Sequence, residues 1–130
     1  MNFWLMRRSG LLHDRYRNII LYSAPAMNFA IGYHRIHPNV SLNYQMNRFS
    51  TGAPEMIAEM LEVAPKIRDY TDYIREFLDL ADRALRNGEL LKGAWYVRSA
   101  EFFMFPDDLR KQSARAEFVR LMRDCFAITA

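Results

Sequence analysis

Arg98 and Glu101, inside the stretch GAWYVRSAEFFMFPDDLRK at positions 93–111, have the most suggestive spacing of any ionisable pair in this sequence. On a helix they fall three positions apart, in a narrow polar sector between lines of large apolar side chains. Two readings are open. As a partly covered surface pair they would stabilise the helix by about 0.2–0.5 kcal/mol. Facing a neighbouring domain or a cavity, Arg98 would instead offer its forked guanidinium to a carboxylate.

Other chemistry fails on its residue requirements. A serine hydrolase of the α/β type needs G-x-S-x-G, which lifts the nucleophile onto a strained strand-to-helix turn. None of Ser9, Ser23, Ser41, Ser50, Ser99 or Ser113 has glycine on both sides at that spacing. Neither G-x-x-x-x-G-K-S/T nor G-x-G-x-x-G occurs, and five glycines in the whole chain leave little material for a phosphate loop. His34 and His37 form H-x-x-H, with His13 the third histidine. A zinc site needs three or four ligands held rigidly, whereas these lie in the least regular segment and read as loop histidines. Cys125 is the single cysteine, at helical spacing among Phe118, Leu121, Met122 and Phe126, and reads as core. It excludes an internal disulfide and fits a reducing, cytoplasmic compartment. No catalytic, cofactor-binding or metal-binding residue is assigned, and no cofactor is expected.

The elements that must position Arg98 and Glu101 come from a chain of 130 residues, 51% hydrophobic and 25% charged. That composition is globular, and one domain is the natural expectation. The net charge of +3 is unevenly spread. Residues 1–54 hold six arginines against Asp14, while residues 55–130 hold twelve basic and fourteen acidic side chains. Binding to nucleic acid or a membrane would need those arginines on one face. Arg7 and Arg8 are adjacent, but Arg15, Arg17, Arg35 and Arg48 are scattered, so they read as solvated surface and neither partner is expected.

Residues 1–50 show no sustained period and are expected to form an irregular N-terminal segment. NIILYSAPAMNFAIGY, from Asn18 to Tyr33, is uncharged and invites a signal-peptide reading. Its two asparagines, its Pro25 and its short apolar run favour a strand or loop that packs on something else. A start at Met27 or Met46 is a further possibility.

Residues 51–130 are expected to form a helical domain of about four helices in antiparallel hairpins, making the fold all-α. Pro54 suits a first turn, after Thr51 or Gly52, and Met56, Ile57, Met60, Leu61 and Ala64 give that helix its apolar face before Pro65. A second helix starts near Asp69 to Asp72, with Tyr73, Ile74, Phe77, Leu78, Ala81, Ala84 and Leu85 inward, and closes at Arg86 to Gly88. The third is expected from Glu89 to Phe105, stopped by Pro106. Asp107 and Asp108 then open a fourth, with Phe118, Leu121, Met122, Cys125 and Phe126 buried. The third helix is unusual because Trp95 and Phe102, Tyr96 and Phe103, and Val97 and Met104 form three separate lines. Such a helix needs cover on almost every side.

NYQMNRF at 43–49 and YIREFLDLADRALRNGELLKGAWYVRSAEFFMFPDDLRK at 73–111 resemble the helical N-terminal region of certain α/β-hydrolase family serine hydrolases. These are similar to dihydroxypseudooxynicotine hydrolase and the bacterial esterases grouped with it. The resemblance rests on Tyr73, Glu76 and Phe77, then Ala81, Ala84 and Gly88, then Tyr96, Arg98, Ser99, Ala100, Glu101 and Phe102. It runs over roughly residues 43 to 126 of the sequence. It implies a cap-side element that covers a catalytic sheet domain and helps to wall its substrate pocket. The chain ends at Ala130, about where that sheet would begin, so the catalytic domain is expected to be missing and no triad residue is carried over. Trp95, Tyr96, Arg98, Glu101, Phe102, Phe103 and Phe105 are the candidate domain-interface residues, covered either by the missing α/β domain or by self-association.

A tetratricopeptide-like interaction module is the alternative. Ala81, Gly88, Ala94 and Ala100 have the small-residue spacing of close helix crossings, although such arrays need about three repeats to be stable. Under either reading the chain alone hydrolyses nothing. Incubation with a serine-reactive fluorophosphonate probe should label no serine, and stoichiometric labelling would overturn the assignment.

Overall fold

Asp69 starts the longest helix among the described residues by accepting the Asp72 N–H at 2.9 Å, as the spacing of its carboxylate predicts. The helix runs over Tyr70–Arg86 and stops at a glycine-dependent turn. Gly88 takes φ +74°, its N–H bonds the Leu85 carbonyl, and the Glu89 N–H reaches back to Ala84 at 2.9 Å. These bonds occupy the carbonyls that a helix end leaves free, and only glycine reaches this φ without strain.

The computed structural model describes residues 33–50 and 53–127, and the compact unit considered below begins at Arg35. Its elements are α1 (Val40–Phe49), α2 (Pro54–Val63), a 3-10 turn at Ala64–Lys66, α3 (Tyr70–Arg86), α4 (Leu90–Phe103) and α5 (Lys111–Cys125). No strand occurs among the described residues, and the fold is all-α. Helix α4 is the centre, packing against α3, α5 and α1. The connection Asn87–Glu89 is too short for anything but an antiparallel α3–α4 hairpin.

Helix α1 lies in the segment expected to be irregular, so the unit starts earlier than residue 51. Asn39 caps it by accepting the Leu42 N–H at 3.1 Å. Its inward positions are Leu42, Asn43, Met46 and Phe49, which is helical spacing with one polar member. Asn43 hides the period from a count of apolar residues. It is buried because its Oδ1 accepts the N–H groups of Ile36 (2.7 Å) and His37 (3.0 Å), so its burial leaves no bare acceptor. Pro54 does occupy the first turn of α2, but the cap position is Ala53. Met56, Ile57, Met60 and Ala64 are buried as expected; Val63 joins them, and Leu61 faces outward.

Two boundaries move at the other end. Helix α4 ends at Phe103, and α5 begins at Lys111 behind Arg110, not at Asp107. Asp108 is occupied elsewhere: it accepts the Arg110 N–H (2.9 Å) and the Arg110 Nε (3.0 Å) and Nη2 (2.8 Å). Its carboxylate closes the connecting turn and is not free to cap a helix. Of the face expected for α5, Leu121 alone is buried; Phe118, Met122 and Cys125 are half-buried, and Phe126 is exposed.

The apolar circumference of α4 is covered from within the unit. Phe49 of α1 packs on Trp95 and Phe102, with ring centroids 6.5 and 5.7 Å apart. Phe118 of α5 meets the other flank of Trp95 at 5.8 Å. From α3, Phe77 meets Tyr96 edge-on at 5.9 Å, and Tyr70 and Tyr73 reach Phe103 at 4.4 and 4.7 Å. Full burial of a ring such as Phe77 contributes about 1.5–3 kcal/mol. The hairpin is closest at Gly93, where an added Cβ would lie 2.5 Å from Leu85 Cδ2 and 2.8 Å from Cγ. Gly93→Ala should therefore destabilise by about 1–3 kcal/mol through overpacking, although alanine is the better helix former by about 1 kcal/mol. In a Leu85→Ala background the loss should shrink by at least about 0.5 kcal/mol, because the two sites share one contact. Additive effects in urea melts would remove Leu85 as the cause.

Candidate functional site

Helix α4 carries Glu101 into a fully buried position, at 0% side-chain exposure. A buried carboxylate needs compensation, and three cations supply it. Arg98, one turn earlier on α4, bonds Oε2. On the other side, Arg115 Nη2 and Lys111 Nζ approach Oε1 at 3.1 and 3.2 Å from α5. Lys111 also donates to the carbonyls of Glu101 (3.0 Å) and Met104 (2.8 Å), closing the free end of α4. The pair is thus neither an isolated surface contact nor an open fork. It is the inner end of a four-residue cluster that ties α5 to α4.

The guanidinium of Arg98 lies 5.8 and 6.0 Å from the ring centroids of Phe49 and Phe102, and that of Arg48 lies 5.2 and 5.4 Å from the same two. This is cation–π range. Lys111, Arg115 and Arg48 were not marked by the sequence. Lys111 and Arg115 reach Glu101 across a connection whose geometry no local pattern specifies, and Arg48 comes from α1, distant in sequence.

A second polar node joins α2 to α4. Tyr96 donates to Glu59, and Lys92 Nζ bridges Glu59 (2.8 Å) and Glu89 (2.7 Å). Burial, then the Glu59 carboxylate, pushes the Tyr96 phenol far above its ordinary range. Burial lowers the Lys92 ammonium, but the two carboxylates outweigh it and the net shift is upward. At the start of α3, the Arg68 side chain and backbone N–H hold Asp72 down to about 2, with Arg75 adding to them.

Two side chains with nucleophile or base chemistry, Ser99 and His37, are held in hydrogen bonds inside the unit. Ser99 is fully buried and shares a 2.6 Å bond with the Tyr73 hydroxyl, whose phenol burial has pushed far up. Its hydrogen-bond partner is thus a neutral phenol and not a base. His37 is also bonded on both ring nitrogens: Nδ1 accepts from the Asn39 N–H at 3.0 Å, so Nε2 donates to the Ile67 carbonyl at 2.8 Å. His13 lies outside the described residues. Among the described residues there is no cluster of three potential metal ligands, and no helix long and apolar enough to cross a membrane.

The candidate interface residues divide by position. Tyr96 and Glu101 are inside the unit; Trp95, Arg98, Phe102 and Phe103 are half-buried against α1, α3 and α5. Phe105 stands out at 66% exposure, and Leu109 on the same connection reaches 97%. No protein-family model, curated protein or solved structure matches this chain.

Removing one partner of a buried ion pair destabilises by about 3–5 kcal/mol, whereas an exposed pair contributes below about 1 kcal/mol. Glu101→Gln should fall in the first range, since it leaves Arg98 and Lys111 without their anion. Arg98→Ala should fall between the two, because Lys111 and Arg115 still hold Glu101. Thermal melts followed by circular dichroism give the order, and an Arg98→Ala loss as large as that of Glu101→Gln would refute the shared cluster.

Proposed function

We propose that this helical unit is a non-catalytic covering domain that docks on an α/β-hydrolase-like catalytic domain and helps to shape its substrate pocket. The observation that carries the reading is the α4–α5 connection. Phe105 and Leu109 project from it, yet Lys111 fastens its start to the end of α4 and Asp108 fastens its finish to Arg110. A fixed connection that displays two large apolar side chains is suited to docking, because little ordering entropy is lost when it binds. The hydrolase resemblance supplies the class of partner. Its matched residues at 43–49 and 73–111 fall on α1, α3, α4 and this connection. Trp95, Tyr96, Phe102 and Phe103 support the docking residues from behind, and Phe105 makes the contact.

The alternative, a tetratricopeptide-like interaction module, draws on the close α3–α4 hairpin, where Ala81, Ala84, Ala94 and Ala100 are buried and Gly93 meets Leu85. In that reading the partner is a peptide and carries no hydrolase chemistry.

The photo-crosslinking amino acid p-benzoylphenylalanine, placed at position 105 in the cells that express the protein, separates the two. Under the covering-domain reading the crosslinked partner also reacts with a fluorophosphonate probe, and Leu109→Asp abolishes the crosslink. A crosslinked partner that the probe leaves unlabelled, or a product of two copies of this chain, would overturn it.

A further inference from the structure

A third feature stands apart from the docking connection. Arg48 from α1 and Arg98 from α4 converge on the Phe49–Phe102 ring pair, and Arg115 from α5 reaches the same cluster through Glu101. Arg48 lies beside Arg98 on the ring pair, and Glu101 is the one carboxylate that Arg98, Arg115 and Lys111 share. Arg98 gives it only Nη1 and Arg115 only Nη2, while Arg48 holds no carboxylate among the described residues. Arg48 is exposed, Arg115 keeps 62% of its side chain in solvent, and Arg98 keeps 24%. Like charges gathered around a single buried anion leave a local positive excess with unused N–H donors, and a further carboxylate would relieve that excess.

We propose that Arg48, Arg98 and Arg115 form a binding site for a short acidic peptide segment, with its carboxylates on the free guanidinium edges and its apolar atoms against Phe102. Charge complementarity favours this occupant over the alternatives. From Arg35 onward the chain has fourteen basic and fourteen acidic residues, so the excess is local. A short segment can be matched by three guanidinium groups, whereas a long polyanion such as nucleic acid would extend well beyond them. On a second copy of the chain, several carboxylates of α2 and α3 are not free. Glu62 already pairs with Arg83, Asp82 with Arg86, and Asp72 with Arg68 and Arg75. The inference does not depend on the identity of the domain that Phe105 meets.

Fluorescence anisotropy of a labelled hexaglutamate peptide on the full chain tests it, with hexalysine and a short oligothymidylate as comparators. Hexaglutamate should bind, more weakly as salt rises, and hexalysine should not. Arg48→Ala should weaken binding by about tenfold, the loss of one charge-assisted contact. Arg86→Ala, an equal change in net charge on α3, should leave it unaltered. Among the described residues Arg48 holds no ion pair, so unchanged circular dichroism and melting of its variant exclude unfolding. The proposal fails if hexaglutamate does not bind at low salt, if the two variants weaken it equally, or if oligothymidylate binds more tightly. It also fails if light scattering shows a dimer that Arg48→Ala dissolves, which would assign the patch to a second copy.

Discussion

Helix α4 can exist in water only if nearly its whole circumference is covered, and the rest of the unit is arranged around that requirement. Its apolar lines point in three directions, so a single neighbouring helix cannot bury them. α3 takes the Tyr96 and Phe103 side, α5 the Trp95 flank, and α1 brings Phe49 over the gap between Trp95 and Phe102. This explains why α1 is part of the compact unit despite its polar composition. It supplies the one ring that the α3–α4–α5 arrangement lacks.

The same requirement drags a carboxylate inside. Glu101 sits on a helix covered on most sides and is fully buried, so its charge has to be matched locally. Arg98 on the same helix supplies part of the match and α5 the rest, and Lys111 serves twice, binding both the carboxylate and the terminal carbonyls of α4. That double use fixes where α5 can begin and therefore how the intervening connection is held. The exposure of Phe105 and Leu109 follows from core electrostatics and not from loop composition.

Buried polar contacts elsewhere play a similar part. Tyr73 with Ser99 joins α3 to α4, Tyr96 with Glu59 joins α2 to α4, and His37 with Ile67 ties the start of the unit to the turn before α3. A hydrophobic surface alone tolerates sliding between helices, whereas a misaligned buried polar pair leaves a donor or acceptor unmet. These links select one helix register from several that apolar packing would accept. They also engage the hydroxyls of Ser99 and Tyr73 and both ring nitrogens of His37.

The sequence by itself determined the all-α class, the α3–α4 hairpin and both ends of α3, because caps, a left-handed glycine and a clean apolar period are local properties of the chain. Asp69, Gly88 and the Tyr73–Phe77–Ala81–Ala84 face could be read without knowing any neighbour. It did not determine α1, where a buried asparagine interrupts the apolar pattern, or the start of α5, where Asp108 is drawn into a bond with Arg110. The candidate site was legible only in part. Arg98 and Glu101 were visible as a pair, but the depth of Glu101, the two cations from α5 and the approach of Arg48 depend on which helices surround α4. Those are long-range contacts, and the tertiary structure alone decided them. Burial is set by the cover on every side of a residue, and no spacing along one helix records what the others bring.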